Sequence, residues 1–315
     1  MSLTRTPTPL NDAHQGVYFC LNHNKMPRKQ FSKPALSTLD LIAFLQGKGL
    51  TINNVVYASN KLNYIGYYRL KIYMRPLELP TKKFKPGTNF DDIVELYEFD
   101  RELRLIFLDA IERVEVAVRA NIINVMGSFG GPHFYYDESY FENKSAVSDT
   151  RNMAKKSKHL SINHYFENYH TPYLPPIWCI TEASTFGDTS RLFANLSLIH
   201  RKRISRNFSL DEKVMVSWLR SLNTVRNACA HHGRLWNADL LVDTPMIANN
   251  YASELTNNKK IYSRAVVIRA ILNGIDKQYS DDWVNKLKLF MSVHPNIDLN
   301  RMDFPSNWYN RPLWN

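Results

Sequence analysis

Cysteine is scarce in this chain: Cys20, Cys179 and Cys229 are the only three among 315 residues. An odd number, widely scattered, supplies no disulfide framework and no zinc-ligand spacing, which predicts a reducing compartment. Long hydrophobic runs are missing as well. No stretch approaches the ~20 apolar residues of a membrane span, and "MSLTRTPTPLNDAHQG" at the start has no apolar core of signal-peptide length. The expected location is the cytoplasm, with no membrane partner. The 11 glycines form no phosphate-cradling loop, and no paired acidic metal site is visible, so an enzyme that transfers nucleotides or acts on small molecules is disfavoured. Acidic residues are outnumbered, 29 against 40 basic, and the resulting charge of +11 argues for a polyanionic partner, nucleic acid first and an anionic membrane surface second.

What is present is a core-forming composition, 44% hydrophobic, with helical periodicity and neither an internal repeat nor a convincing strand run. Residues 1–34 carry prolines and a basic cluster, Lys25, Arg28, Lys29 and Lys33, and read as a basic N-terminal arm. A helix is expected over "STLDLIAFLQGKGL", capped by Ser37 or Thr38 and ending near Gly47 or Gly49. "KLNYIGYYRLKIYMRPL", 61–77, reads as an aromatic core helix with a basic edge rather than a base-stacking surface. Residues 35–86 are thus assigned to an N-terminal helical subdomain and 87–315 to a helical core with a C-terminal tail.

The strongest periodicity starts after "FKPGTNF", where Asn89 or Thr88 can cap and Asp91 and Asp92 suit a helix start. Ile93, Leu96, Leu103, Phe107, Ala110, Val114 and Val118 recur at spacings of three, four or seven, predicting a long amphipathic helix up to Gly127, with Arg101, Glu102, Arg104, Glu112 and Arg113 on solvated faces. A structured loop is expected over 127–150, then a basic helix over 151–170, and a helix pair over 179–208 interrupted near Gly187. Two basic clusters are candidate RNA contacts: Lys155, Lys156 and Lys158, and Arg201, Lys202, Arg203 and Arg206. Each also fits a solubilising surface.

Ser209 and Glu212 match a capping box, and Val214, Trp218, Leu222, Val225 and Cys229 form an apolar stripe, so a buried helix is expected over 211–231 with Gly233 as its left-handed cap. This helix runs into "RNACAHHGRLWN", 226–237. On a regular helix Arg226 and His231 differ by about 140° in direction and about 7.5 Å in height, so they would flank one cleft. Asn227 and His231 share a face, so Asn227 is a candidate to orient the imidazole. A guanidinium on a phosphate beside a proton-moving histidine suits RNA cleavage by attack of the 2′-hydroxyl, chemistry that needs no metal or cofactor. Two copies of the helix meeting across a two-fold axis would supply both an acid and a base, which predicts a homodimer. Two other readings stay open: a histidine that caps the helix, and a metal site of Cys229, His231 and His232.

"RNACAHHGRLWN" resembles the HEPN signature as it occurs in the Abi-like family of abortive-infection proteins, AbiD/AbiF type, usually RN, two variable residues, AHHGRLWN. "KPALSTLDLIAFLQGKGL" (33–50), "LYEFDRELRLIFLDAIERVE" (96–115), "PPIWCITEASTFGDTSRLFANL" (175–196) and "HPNIDLNRMDFPSNWYNRPLW" (294–314) resemble the family's other blocks, in family order. "KIYMRP" at 71–76 departs from the relatives' "SGYxxPF". The resemblance implies an all-α HEPN-type bundle, phage defence, kinship with the HEPN ribonucleases of type VI CRISPR effectors, and association with a structured noncoding RNA. It assigns catalysis to Arg226 and His231, with Asn227 as the polar residue after the arginine. The expected function is a metal-independent endoribonuclease, set against an RNA-binding defence protein whose motif is structural.

Overall fold

The computed structural model describes Gln30, Ser32 and residues 34–315. The expected basic arm, including Lys25, Arg28, Lys29 and Lys33, therefore lies outside the described residues apart from Gln30, Ser32 and Pro34. The fold is all-α, with twelve helices among the described residues: α1 Thr38–Gly47, α2 Val55–Tyr64, α3 Tyr67–Met74, α4 Phe90–Gly130, α5 Ser145–Lys156, α6 Leu160–Asn168, α7 Ile177–Glu182, α8 Phe186–Asn195, α9 Leu198–Arg206, α10 Glu212–Ala230, α11 Ile261–Ile275 and α12 Lys277–Ser292. Among the described residues there are isolated bridges but no strands. None of these helices is long and apolar enough to cross a membrane.

Helix α4 is the mast of the structure. Its 41 residues span about 60 Å. Asn89 caps it by accepting from the Asp91 N–H, while Asp92 reaches back to the Asn89 N–H, a reciprocal arrangement that satisfies otherwise orphaned donors. The predicted stripe is buried along its length, and α3, α7, α8, α9, α10, α11 and α12 pack against it. One hydrophobic cluster runs from Ile42 to Trp314. Arg264 and Arg269, both buried, bind the last quarter of the chain: Arg264 donates to the Leu240 carbonyl at 2.8 Å, and Arg269 to the Leu313 carbonyl at 3.1 Å and to Asp281 at 2.7 Å.

Several local expectations need correction. The aromatic segment 61–77 is two helices, because Gly66 sits at φ +88°, a left-handed conformation that a continuing helix excludes. Helix α4 passes Gly127 and ends at Gly130, after which two 3₁₀ turns and α5 occupy the expected loop. The basic segment 151–170 breaks between α5 and α6. The expected interruption at Gly187 falls instead at 183–185, where Thr185 and Asp188 form a capping box and Gly187 lies inside α8. Arg104 is buried rather than solvated, paired with the buried Asp100 one turn earlier.

Candidate active site at the end of helix α10

Helix α10 is capped not by Ser209, whose φ is +55°, but by Asp211, which accepts from the Lys213 N–H at 2.9 Å. Its predicted stripe is buried against α4, α8, α9 and α11. At the other end His231 is the C-cap. The His232 N–H donates to the Cys229 carbonyl at 3.1 Å and the Gly233 N–H to the Ala228 carbonyl at 2.6 Å, the paired bonds of a Schellman ending. The left-handed residue is therefore His232, at φ +59°, and not Gly233. Glycine suits 233 for a different reason: a Cβ there would stand 3.0 Å from the Ala228 carbonyl oxygen, a tight contact with helix backbone.

Beyond the cap, the motif backbone is tied to α3 and α4. Arg69 donates to the His232 carbonyl, and Arg104 to the Gly233 carbonyl at 3.3 Å. Asp100 accepts the N–H groups of Leu235, at 2.9 Å, and Trp236, at 2.6 Å, on one oxygen, and the Tyr73 hydroxyl, at 2.7 Å, and Arg104 on the other. Arg234 donates to the Ile72 and Asn237 carbonyls, while the Leu235 and Trp236 side chains are buried. Burial raises the Asp100 carboxyl from its ordinary range, and these four donors pull it back. The second half of the motif thus builds structure. Asp100, Arg104, Arg69 and Tyr73 complete the site, and sequence reasoning missed them.

The first half is different. Among the described residues, the side chains of Arg226, Asn227, His231 and His232 make no hydrogen bond and no ion pair. His231 and His232 are exposed, Arg226 and Asn227 half-buried. Asn227 therefore does not hold the imidazole as its spacing suggested; the link at that spacing is the His231 N–H on the Asn227 carbonyl, 2.9 Å. Arg226 lies close to Glu115 of α4. Burial pushes the Glu115 carboxyl up, and Arg119 and Arg226 draw it down. Arg119 bonds Glu115 and the Ser184 carbonyl, joining α4 to the end of α7. Cys229 is buried, and burial pushes its thiol up to about 12. Among the described residues no three His, Cys, Asp or Glu side chains gather as a metal set, the trio Cys229, His231 and His232 included.

A family model, Abi-like protein, matches residues 60–237, more than half of the chain, ending on the last residue of the motif. The chain belongs to the Abi-like family. No curated protein and no solved structure matches it. Membership points to abortive-infection phage defence, and the matched segment holds both Asp100 and Arg104 of α4 and the whole of α10.

The basic clusters fare unevenly in this Abi-like fold. Lys202, Arg203 and Arg206 are exposed on α9, with Arg203 stacked 4.3 Å from the Phe129 ring centroid. Arg201 is turned inward, donating to the Ala194 and Leu196 carbonyls at 2.9 and 2.7 Å and pairing with Glu142, so it ties down the end of α8 rather than joining the patch. Lys155 and Lys156 are exposed at the end of α5, and Lys158 is exposed just beyond it.

Proposed function

We propose that this Abi-like protein is a HEPN-type endoribonuclease acting in phage defence, with Arg226 binding the scissile phosphate and His231 moving the proton. One observation carries the reading. The second half of the motif is spent on fixing the backbone, whereas the side chains of Arg226, Asn227, His231 and His232 make no hydrogen bond and no ion pair among the described residues. Of these, the guanidinium is the group suited to phosphate and the His231 imidazole the group suited to moving a proton. The Schellman ending and the Asp100 clamp fix the backbone that leads from α10 into the rest of the motif, which supports a role for these side chains on a rigid frame. In the reaction, the 2′-oxygen attacks its own phosphorus, the bond from phosphorus to the 5′-oxygen breaks, and a 2′,3′-cyclic phosphate and a 5′-hydroxyl result. The imidazole takes the 2′-hydroxyl proton or returns one to the leaving oxygen. The second of these tasks falls to the same group of a partner copy in a two-fold dimer. Asn227, half-buried beside Arg226, is assigned as a further substrate contact.

A second reading, an RNA-holding protein whose motif is structural, draws on the lack of any side chain orienting the His231 imidazole among the described residues. Either form accommodates a structured noncoding RNA as partner. The variant His231→Ala separates them. An acid–base role predicts a loss of about 10² to 10⁴ in cleavage rate at unchanged melting temperature, whereas a fully active His231→Ala protein would end the nuclease reading. Light scattering that finds only monomer, free and RNA-bound, removes the dimer.

A further inference from the structure

A second surface, remote in sequence from the motif, has the features of a ligand site. Between α6, the loop 169–176 and the first turn of α7 lies a cleft of about 400 Å³, inside the roughly 300–1,000 Å³ range of small-ligand pockets. Its walls include His133, His164, Tyr165, Tyr169 and Trp178. Tyr165 is fixed through its hydroxyl on the Pro172 carbonyl and stacks on Tyr169, ring centroids 5.3 Å apart. His133 bonds the Leu174 carbonyl at 3.0 Å and stacks on Tyr136. The wall is therefore rigid, yet aromatic surface remains uncovered: Trp178 is 47% exposed, Tyr169 56% and Tyr173 71%. Apolar rings held in water by a packed frame mark a binding surface more than a core defect.

Charge decides the occupant. Lys155 borders this region, its ammonium 5.9 Å from the ring centroid of Tyr173, an exposed residue of the loop 169–176, and Lys156 and Lys158, also exposed, follow within three positions. Burial first, and Glu182 second, raise the Cys179 thiol, so an acid stands near the α7 side of the cleft. Aromatic faces for stacking beside cations for a backbone are the two components of single-strand recognition. We propose that the cleft takes an unpaired base of single-stranded RNA, stacked on Trp178 and Tyr169, with flanking phosphates on Lys155, Lys156 and Lys158. A base held in a duplex cannot enter such a cleft, so the site selects for loops, bulges and open strands. The Thr171 hydroxyl, in the wall and without a hydrogen bond among the described residues, is free to read a base edge. Helix α7 runs from the cleft to the Ser184 carbonyl that Arg119 holds, beside Glu115 and so close to Arg226. This inference rests on the reading of the protein as one that acts on RNA.

The test uses the full chain and a fluorescent unstructured oligoribonucleotide of about 12 nucleotides, within the usual span of single-strand sites. Trp178→Ala should weaken binding roughly tenfold or more, Trp178→Phe should restore most of it, and neither should shift the melting temperature, because the ring is half exposed. Ultraviolet cross-links from 4-thiouridine should map to 160–178, and the same sequence as a duplex should compete poorly. Wild-type protein that binds and cleaves RNA while Trp178→Ala matches it overturns the cleft and leaves the nuclease standing. Wild-type protein that binds no RNA overturns both. Cross-links from the cleft to a co-purifying polypeptide instead of RNA also overturn it.

Discussion

The backbone N–H of Trp236 lies 2.6 Å from the carboxylate of Asp100, a residue 136 positions earlier in the chain. That bond, with the neighbouring one from Leu235, fixes the segment after α10 against the mast helix in a fully buried setting. Asp100→Ala would leave the Tyr73 hydroxyl and two backbone donors buried without that acceptor, and the buried Arg104 guanidinium without its counter-charge. The expected cost is about 3–5 kcal/mol, visible as a lower midpoint in urea, and cleavage per folded molecule should fall as well, because the clamp fixes the segment that ends α10. A variant as stable as the parent would show that water replaces the carboxylate.

Adjacent positions at the end of α10 should respond in opposite directions. Gly233→Ala brings a Cβ to 3.0 Å from the Ala228 carbonyl and is expected to cost about 1–3 kcal/mol. His232→Gly relieves a side chain held at φ +59° and should stabilise by up to about 1 kcal/mol. Thermal melts of the two single variants check both signs. Cleavage that survives His232→Gly assigns that histidine to the turn; cleavage abolished despite improved stability assigns it to the chemistry.

Cys229 makes the fold sensitive to alkali. Its thiol is held neutral up to about 12, while in the unfolded chain it ionises near 9.0. The folded state keeps a proton that the unfolded state loses, so this contribution is fully present below about pH 9 and is lost as pH rises towards 12. The slope approaches about 1.4 kcal/mol per pH unit. Cys229→Val should flatten the fall in stability over that window. In the native protein at about pH 8, iodoacetamide should leave Cys229 unmodified until denaturant is added.

The α9 cluster divides by burial. Replacing Lys202, Arg203 and Arg206 by glutamine should leave the melting temperature unchanged and weaken RNA binding. The dependence of affinity on log salt should flatten by about 0.7 for each single-strand phosphate no longer neutralised. Arg201→Ala should do the reverse. It strands the Ala194 and Leu196 carbonyls and is expected to cost about 1–3 kcal/mol. An unchanged salt slope in the triple variant would reduce the patch to a solvated face.

Helices were legible wherever burial follows a simple period. The stripe from Ile93 to Val118 and that from Val214 to Cys229 are both in the core, because a single apolar face is what packing demands of a long helix. The caps were only partly legible. Ser37 and Asn89 stand where their residue types suggest, but Ser209 gives way to Asp211 because a left-handed backbone removes it from capping geometry. Gly233 resembles the left-handed residue since glycine usually holds that place; its real constraint, the nearby Ala228 carbonyl, is a close approach that no spacing reveals. Asp100 and Arg104 were hidden for a related reason. Four residues apart on a helix, an acid and a base look like an exposed pair, and only the arrival of the 233–236 backbone makes them buried. Of the candidate site, Arg226, Asn227 and His231 were named from their types and order, whereas the anchors at Arg69, Tyr73 and Asp100 come from segments distant in sequence.

The clamp also sets an order of events during synthesis. Its acceptors and donors on α3 and α4, residues 69 to 104, leave the ribosome first, and the N–H groups they hold, at 235 and 236, emerge more than a hundred residues later. A nascent chain that has already exposed Arg226 has no fixed ending for α10 until Trp236 is also outside the exit tunnel. If the free Arg226 and His231 side chains are what makes the protein harmful to its host, the weapon is unassembled on the translating ribosome and is armed only once the chain has passed that tryptophan.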